Sequence, residues 1–381
     1  MPESVRRQIL ATEIRWEGPR MSLLTISTPF QVPSYSKRQT GSATGSEPKS
    51  LPQLSVVIVN YHQWGETADL IRQLGRSTSL NTGKAEIIVV DNRSPNNPIA
   101  GWLRRRRGVS LRRWSKNRGF ACAVNEGCRL SQGEWFLLLN SDTTVREGFL
   151  DGVLALLGRL DQENPRMGIV GFQLRNSDGS RQWSTGPFPT LWGTLSRLVL
   201  PRSRRKYHAL RARKLTQVSW VTGCCLLVRR ECMQDLGGLD QRFFLYYEDV
   251  DLCRRARDRG WTVGYEPSLR VTHHRPLHSR SLAVPMRVLT RHALLTYTSK
   301  HWPAWQFRLL AWIVKAEAMV RHQWKLWKGD YQKADQLAVL EAIASAMATG
   351  SSRQARRRLL HFIRKHEPNS ALKCRLQTID Q

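Results

Sequence analysis

SVVIVN at 55–60 closes four β-branched apolar residues with an asparagine, and two runs of the same kind follow, EIIVVD at 86–91 and WFLLLN at 135–140. A strand apolar at almost every position is buried on both faces, the habit of parallel sheets. Between the runs, residues 66–74 set Leu70, Ile71 and Leu74 on one side of a helix, and residues 121–130 follow a glycine-containing loop as a second helical candidate. Repeated β-α units of this length predict an α/β fold with a mostly parallel, Rossmann-like sheet. Two of its strands end in Asp91-Asn92 and Asn140-Ser141-Asp142, which places carboxylates at the edge where open α/β sheets collect ligands.

Working outward, residues 1–52 are rich in Ser, Thr, Pro and Gly without an apolar period, and a disordered tail is expected there. Arg6, Arg7, Arg15 and Arg20 give that tail only a faint targeting signal, with no secretory signal. The nucleotide-binding domain is expected over 53–281, including a turn at Asp178-Gly179, an apolar strand over 220–228 and a helix over 249–259. From 282 to 381 the chain is basic and rich in tryptophan. There Trp305, Leu309, Trp312, Ala316 and Val320 recur at helical spacing, so a helical appendage is predicted.

The formal net charge of +30 calls for an anionic partner, whether nucleic acid, anionic lipid or a diphosphate substrate. Arg104 to Arg118 holds eight Lys or Arg and no acid, and Arg202 to Lys214 holds seven, so both runs read as surface. No nucleic-acid module accompanies them. Trp302, Trp305, Trp312, Trp324 and Trp327, interleaved with Arg308, Lys315, Arg321, Lys325 and Lys328, suit either an interfacial amphipathic helix or a helix packed on the catalytic domain. The longest apolar runs reach about six residues, far short of the roughly 20 a membrane-spanning helix needs. Seven cysteines without metal-type spacing fit reduced thiols in a cytosolic setting, with Cys224 and Cys225 as packing residues. A cytoplasmic protein docked peripherally on the inner face of the membrane is therefore expected.

Two segments carry chemistry. Asp142 at a strand end suits Mg2+ or Mn2+ held jointly with a diphosphate, although a carboxylate there also caps a following helix. FFLYYEDVDLCRRARDRGW, residues 243–261, sets Glu248, Asp249 and Asp251 behind an aromatic run and ahead of a basic helix. Aromatic surroundings raise a carboxylate's proton affinity, as a general base requires, while the same acids at a helix start also balance its dipole. There is no phosphate-binding P-loop and no G-x-G-x-x-G.

Four segments, VVIVNYH at 56–62, IIVVDN at 87–92, NRGFACAVNEG at 117–127 followed by FLLLNSDT, and GGLDQRFFLYYEDVDLCRRARDRGW at 237–261, together resemble the family 2 glycosyltransferases of GT-A fold, in their rhamnosyltransferase-like branch. The resemblance implies an inverting transferase that moves one sugar from a dTDP- or UDP-sugar to a hydroxyl of a cell-surface polysaccharide or lipid-linked glycan, non-processively. It implies that Asp91 bonds the donor's pyrimidine, that Asn60 and Tyr61 line that pocket, and that Gly119, Asn125 and Asp142 follow the diphosphate and metal. Asp249 is then the catalytic base, with Glu248 as the other candidate, while Asp251 and Gly223 lie toward the acceptor. His273 or His274 joins Asp142 at the metal, with Ser279 a few residues on. Arg275-Pro276 and DNRSPNN depart from the family's usual pattern. On this reading Asp91, Asp142 and Asp249 converge on one cleft. The alternatives are a metal-dependent phosphodiesterase built on Asp142, Asp249 and His273, and a basic nucleic-acid-binding protein.

Overall fold

The computed structural model describes residues 51–199, 210, 212–274 and 284–366. The tail at 1–50, most of the basic run at 202–214, and Arg275, Pro276 and Ser279 lie outside the described residues.

The chain opens with strand β1 (Leu54–Asn60), helix α1 (Trp64–Leu74), the short α2 (Thr78–Asn81), β2 (Ala85–Asn92), α3 (Pro98–Arg104), β3 (Val109–Trp114), α4 (Phe120–Leu130) and β4 (Trp135–Asn140). It continues through β5 (Thr143–Val145), α5 (Phe149–Glu163), β6 (Met167–Arg175), β7 (Arg181–Gln182), β8 (Thr185–Gly186), α6 (Leu191–Val199), β9 (Thr216–Gln217), β10 (Trp220–Val221), β11 (Cys225–Arg229) and α7 (Arg230–Asp235). Helix α8 (Glu248–Asp258) and strand β12 (Thr262–His273) complete the sheet domain, and α9 (Val284–His301), α10 (Ala304–Trp327), α11 (Tyr331–Ala348) and α12 (Ser352–His366) form the appendage.

The main sheet runs β3-β2-β1-β4-β11-β6-β12-β5. Its first four strands are parallel, as the apolar runs predict, with Asn60 beside Asp91 and Val59 beside Asn140, so the polar strand ends fall in one row. Beyond β4 the sheet is mixed, because β11 inserts antiparallel between β4 and β6. The apolar stretch at 220–228 is two strands, β10 and β11, parted at Thr222-Gly223-Cys224.

Alternation on β1 supplies both faces. Val56 and Ile58 join Leu70, Ile71 and Leu74 of α1 and Val153, Leu156 and Leu157 of α5 in one apolar layer. Val57 joins Val124 and Cys128 of α4 and Leu252, Cys253 and Ala256 of α8 in the other. Burial of such side chains contributes about 1.5–3 kcal/mol each, which makes these two layers the main stabilising mass of the domain.

A third apolar cluster lies within α9–α12, where Leu310, Ala311, Val314 and Ala318 of α10 face Leu340, Ile343, Ala344 and Met347 of α11. Phe244, Tyr247 and Leu195 of the sheet domain pack against that cluster, so the appendage is seated on the segment that leads into α8. Among the described residues no helix is long and apolar enough to cross a membrane, and the six described cysteines are free thiols.

Candidate active site

The row of strand ends opens into a cavity of ≈ 670 Å³. Its polar wall comes from β1, β2 and the loop before α4 as Tyr61, Gln63, Asn92 and Asn117; its floor is Asn140, Ser141 and Asp142. Thr222, Gly223, Glu248 and Asp249 also line the cavity, together with an aromatic and apolar set that includes Trp183, Trp220, Phe244, Tyr246, Met286 and Phe362. The appendage thus supplies part of the wall.

The backbone is bent to build this wall. His62, Arg93, Tyr246 and Tyr247 are the non-glycine residues with positive φ among those described, at 58°, 74°, 74° and 67°. Each costs energy and sits beside the cavity, the pattern of conformations held by function. The two tyrosines form the left-handed turn that delivers Glu248 and Asp249 at the start of α8. That turn is held from behind. The Phe120 N–H donates to the Phe244 carbonyl at 2.8 Å, and a side chain at Gly119 (φ 92°) would meet that same oxygen at 2.8 Å.

At the base of α8 the acids diverge. Asp249 accepts hydrogen bonds from the Gly223 N–H at 2.8 Å and the Val250 N–H at 2.8 Å, with Thr222 as a side-chain donor. Burial raises its proton affinity, and these donors oppose the rise. Glu248 is 6 % exposed, its Oε2 has no hydrogen-bond partner, and burial followed by the charge of Asp249 lifts it well above the usual carboxylate range. Burial thus raises both acids, and of the two Asp249 is the one whose carboxylate meets N–H and hydroxyl donors that favour its charged form.

Asp142 Oδ1 lies 3.5 Å from His273 Nε2, while His273 Nδ1 meets Gln182 Nε2 at 2.9 Å. The 3.5 Å gap is too long for a hydrogen bond and suits two ligands of one cation. Gln182 Oε1 is buried without a partner; turning the amide over gives a Nδ1–H an acceptor and frees Nε2 as a ligand. A carboxylate oxygen and an imidazole nitrogen are suitable donors for Mg2+ or Mn2+, whose remaining positions fall to water and diphosphate. Among the described residues no cluster of three or more His, Cys, Asp or Glu forms a metal cage.

The structure places the expected site residues in different surroundings. Asp142 and Asp249 share the cavity, but Asp91 does not line it. Its side chain is wholly buried, and it accepts from Asn60 at 2.9 Å, the Ser94 N–H at 3.1 Å and Arg113 at 2.9 Å. Asp91 thus anchors the loop after β2, and its neighbour Asn92 reaches the cavity. Asn60 is likewise internal, clamped to Asp91, Ser94 and Thr67. Asn125 exchanges two hydrogen bonds with the backbone of Leu239, and Gly119 serves the close approach of Phe244. Asp251 is 0 % exposed and does not line the cavity; it is bound by Lys300 at 2.5 Å, Arg255 at 2.7 Å and His301 at 2.8 Å. His274 turns outward to Thr144 and Ser177, which leaves His273 as the histidine beside Asp142. Tyr61 and Gly223 line the cavity.

Sequence reasoning missed Gln63, Asn92, Asn117, Thr222, Gln182 and Arg113. For Arg113 a signal existed: Val109, Leu111 and Arg113 alternate, so the arginine shares the half-buried side of β3. Gln182 sits in a polar stretch, residues 175–185, that gives no reason to single it out.

A cavity at the carboxyl ends of parallel strands, with a carboxylate–imidazole pair on its floor and two acids at a helix start in its wall, places the chain among α/β enzymes that act on ligands at that edge. Residues 55–237 match the model of glycosyl transferase family 2, so the chain carries a family 2 glycosyltransferase domain on the α/β sheet described above. The N-acetylglucosaminyl-diphospho-decaprenol L-rhamnosyltransferase of Mycobacterium tuberculosis is 29% identical over 289 residues, 70% of this chain and 91% of that one. The rhamnosyltransferase WbbL of Escherichia coli (strain K12) is 25% identical over 158 residues, 42% of this chain and 59% of the relative. Among solved structures, the mannosyltransferase PcManGT from Pyrobaculum calidifontis in complex with GDP-Man and Mn2+ aligns with a TM-score of 0.44 at 15% identity, covering 87% of this chain and 92% of that one.

Proposed function

We propose that this glycosyltransferase is inverting and metal-dependent, and that it moves a single sugar, with rhamnose the first candidate, from a dTDP- or UDP-sugar to a hydroxyl of a cell-surface or lipid-linked glycan. The observation that carries the reading is that Asp249 and Asp142 line one cavity, the first bound by backbone N–H groups and the second paired with His273. The similarity to rhamnosyltransferases supports the choice of sugar, and the lipid-linked acceptor named for the mycobacterial relative agrees with the aromatic and apolar residues of the cavity lining.

In the proposed reaction the donor's base lies against Tyr61, Asn92 and Asn117, and its diphosphate over Ser141 and Asp142. Asp249 takes the proton of the acceptor hydroxyl, whose oxygen attacks the anomeric carbon as the bond to the nucleoside diphosphate breaks on the opposite side. The proton stays on Asp249 until solvent removes it. Burial disfavours a second negative charge on Glu248 beside Asp249. Asp142 and His273 would hold a Mg2+ or Mn2+ ion, which when bound neutralises charge on the departing diphosphate. The setting is the cytoplasmic face of an anionic membrane.

The test is a panel of nucleotide sugars with Mn2+ or Mg2+, scoring release of nucleoside diphosphate by the wild-type protein and by Asp142→Ala. Release that requires metal and is abolished by the substitution is expected. Equal release by the variant, or hydrolysis of simple phosphodiesters in place of sugar transfer, contradicts the proposal.

A further inference from the structure

Helix α10 carries apolar side chains on two opposite faces. Leu310, Ala311, Val314 and Ala318 are buried against the rest of the appendage, which fixes the rotation of the helix. On the other side Trp305, Leu309, Trp312, Met319, Val320 and Trp327 are 61 %, 42 %, 49 %, 44 %, 65 % and 80 % exposed. Their spacing of three, four and seven residues keeps them within a stripe about 100° wide, and at about 1.5 Å per residue the stripe runs for some 33 Å. Soluble proteins seldom leave so long an apolar face to water without a partner.

The charge around the stripe says which partner. Lys315 lies over the Trp312 ring at 4.8 Å and Lys328 over Trp324 at 4.8 Å, while Lys325, over Trp324 at 4.7 Å, also pairs with Asp330 at 3.3 Å. Glu317 is the one acid between residues 304 and 327, and Arg287, Arg291 and Arg321 take up its charge at 3.2, 2.8 and 3.0 Å. What remains is a row of indoles flanked by cations on a chain of net charge +30. Indoles favour the boundary between headgroups and acyl chains, and lysines beside them meet anionic headgroups. A second copy of the same stripe would bring like charges together.

We infer that the outer face of α10 is a membrane-docking surface that lies flat on an anionic bilayer, with its tryptophans at the headgroup boundary and its lysines on lipid phosphates. This rests on the proposed function only for its membrane setting, and the two can fail separately.

The experiment is sedimentation of the full-length chain with vesicles of phosphatidylglycerol and phosphatidylcholine, or of phosphatidylcholine alone, for the wild type and for the combined Trp305→Ser, Trp312→Ser and Trp327→Ser variant. These side chains are exposed, so the variant keeps its fold, checked by its melting temperature, and its release of nucleoside diphosphate in solution is unchanged. Wild-type binding to the anionic vesicles and a loss of at least about tenfold in the variant are expected, with much weaker binding to phosphatidylcholine alone. A second variant, Lys315→Glu with Lys328→Glu, loses the preference for anionic lipid while keeping its indoles. Equal binding by wild type and tryptophan variant, or no binding by the wild type, overturns the inference. So does a wild-type dimer that the tryptophan variant dissolves, because the face then belongs to a second copy. Nucleoside diphosphate release failing in both proteins while vesicle binding persists counts against the transferase reading alone.

Discussion

Asp249 and Asp251 stand two residues apart on the first turn of α8, and the protein treats them in opposite ways. On the packing side, Asp251 meets Lys300, Arg255 and His301, and although burial alone would raise its proton affinity, His301, Arg255 and Lys300 together hold it below the usual carboxylate range. On the cavity side, Asp249 and Glu248 have no Lys or Arg ion pair among the described residues, and burial raises both. With 60 Lys and Arg against 30 Asp and Glu, cations are plentiful, so leaving this pair without one is informative. A carboxylate neutralised by a fixed cation is a structural tie; one held only by N–H groups and a hydroxyl can accept a proton when a substrate brings one.

The comparison breaks most sharply at Asp249. Asp249→Asn keeps the shape and most of the hydrogen bonds but removes the base, and turnover should fall by about 10²–10⁴ with the melting temperature nearly unchanged. A large loss of stability in this variant would mean that Asp249, like Asp251, is a tie.

Asp251→Asn should do the reverse. It leaves Lys300, Arg255 and His301 facing a neutral amide in a buried place, a loss of about 3–5 kcal/mol in denaturant unfolding. The sign with pH follows from the lowered native proton affinity: the stabilisation from Asp251 is fully present above its unfolded value, about pH 3.9, and is lost as pH falls through the depressed native value. The variant should therefore show a flatter stability profile in that acid window.

A smaller effect is expected on the floor of the cavity. Gln182→Leu removes the partner of His273 Nδ1, and the Mn2+ concentration for half-maximal transfer should rise about 10–100-fold, with the saturated rate little changed. An unchanged metal response would show that the imidazole is oriented without Gln182.

Much of this architecture was legible beforehand, for a physical reason. Buried parallel strands must be apolar throughout, so β1, β2 and β4 announced themselves, and the polar residues ending them marked the ligand edge. What stayed hidden depends on partners distant along the chain. Asp91 could be placed at the strand end, but whether it faces ligand or Arg113 is decided by the neighbouring strand, and Arg113 was concealed in a run that read as solvated surface. Asn125 and Asn60 have the residue type of ligand contacts, and only their burial exposes them as clamps. His273 and His274 alternate across β12, so one of the two had to point away, and neither spacing nor type says which. The outer stripe of α10 was visible as a period; that its opposite face is equally apolar, and occupied, required the packing. Trp302, grouped with that stripe by sequence, instead donates to the Pro189 carbonyl at 3.0 Å at the foot of the appendage.

The pH dependence of transfer, measured for the wild type and for Glu248→Gln and Asp249→Asn, tests the division of labour on α8 most directly. The wild type should gain activity with rising pH across an acid limb set above the usual carboxylate range, because the base works only when deprotonated and burial raises Asp249. Glu248→Gln should keep that limb, with turnover reduced by less than about tenfold, while the residual activity of Asp249→Asn should lack it. A limb that persists in Asp249→Asn and disappears in Glu248→Gln would move the proton to the other carboxylate and contradict the account.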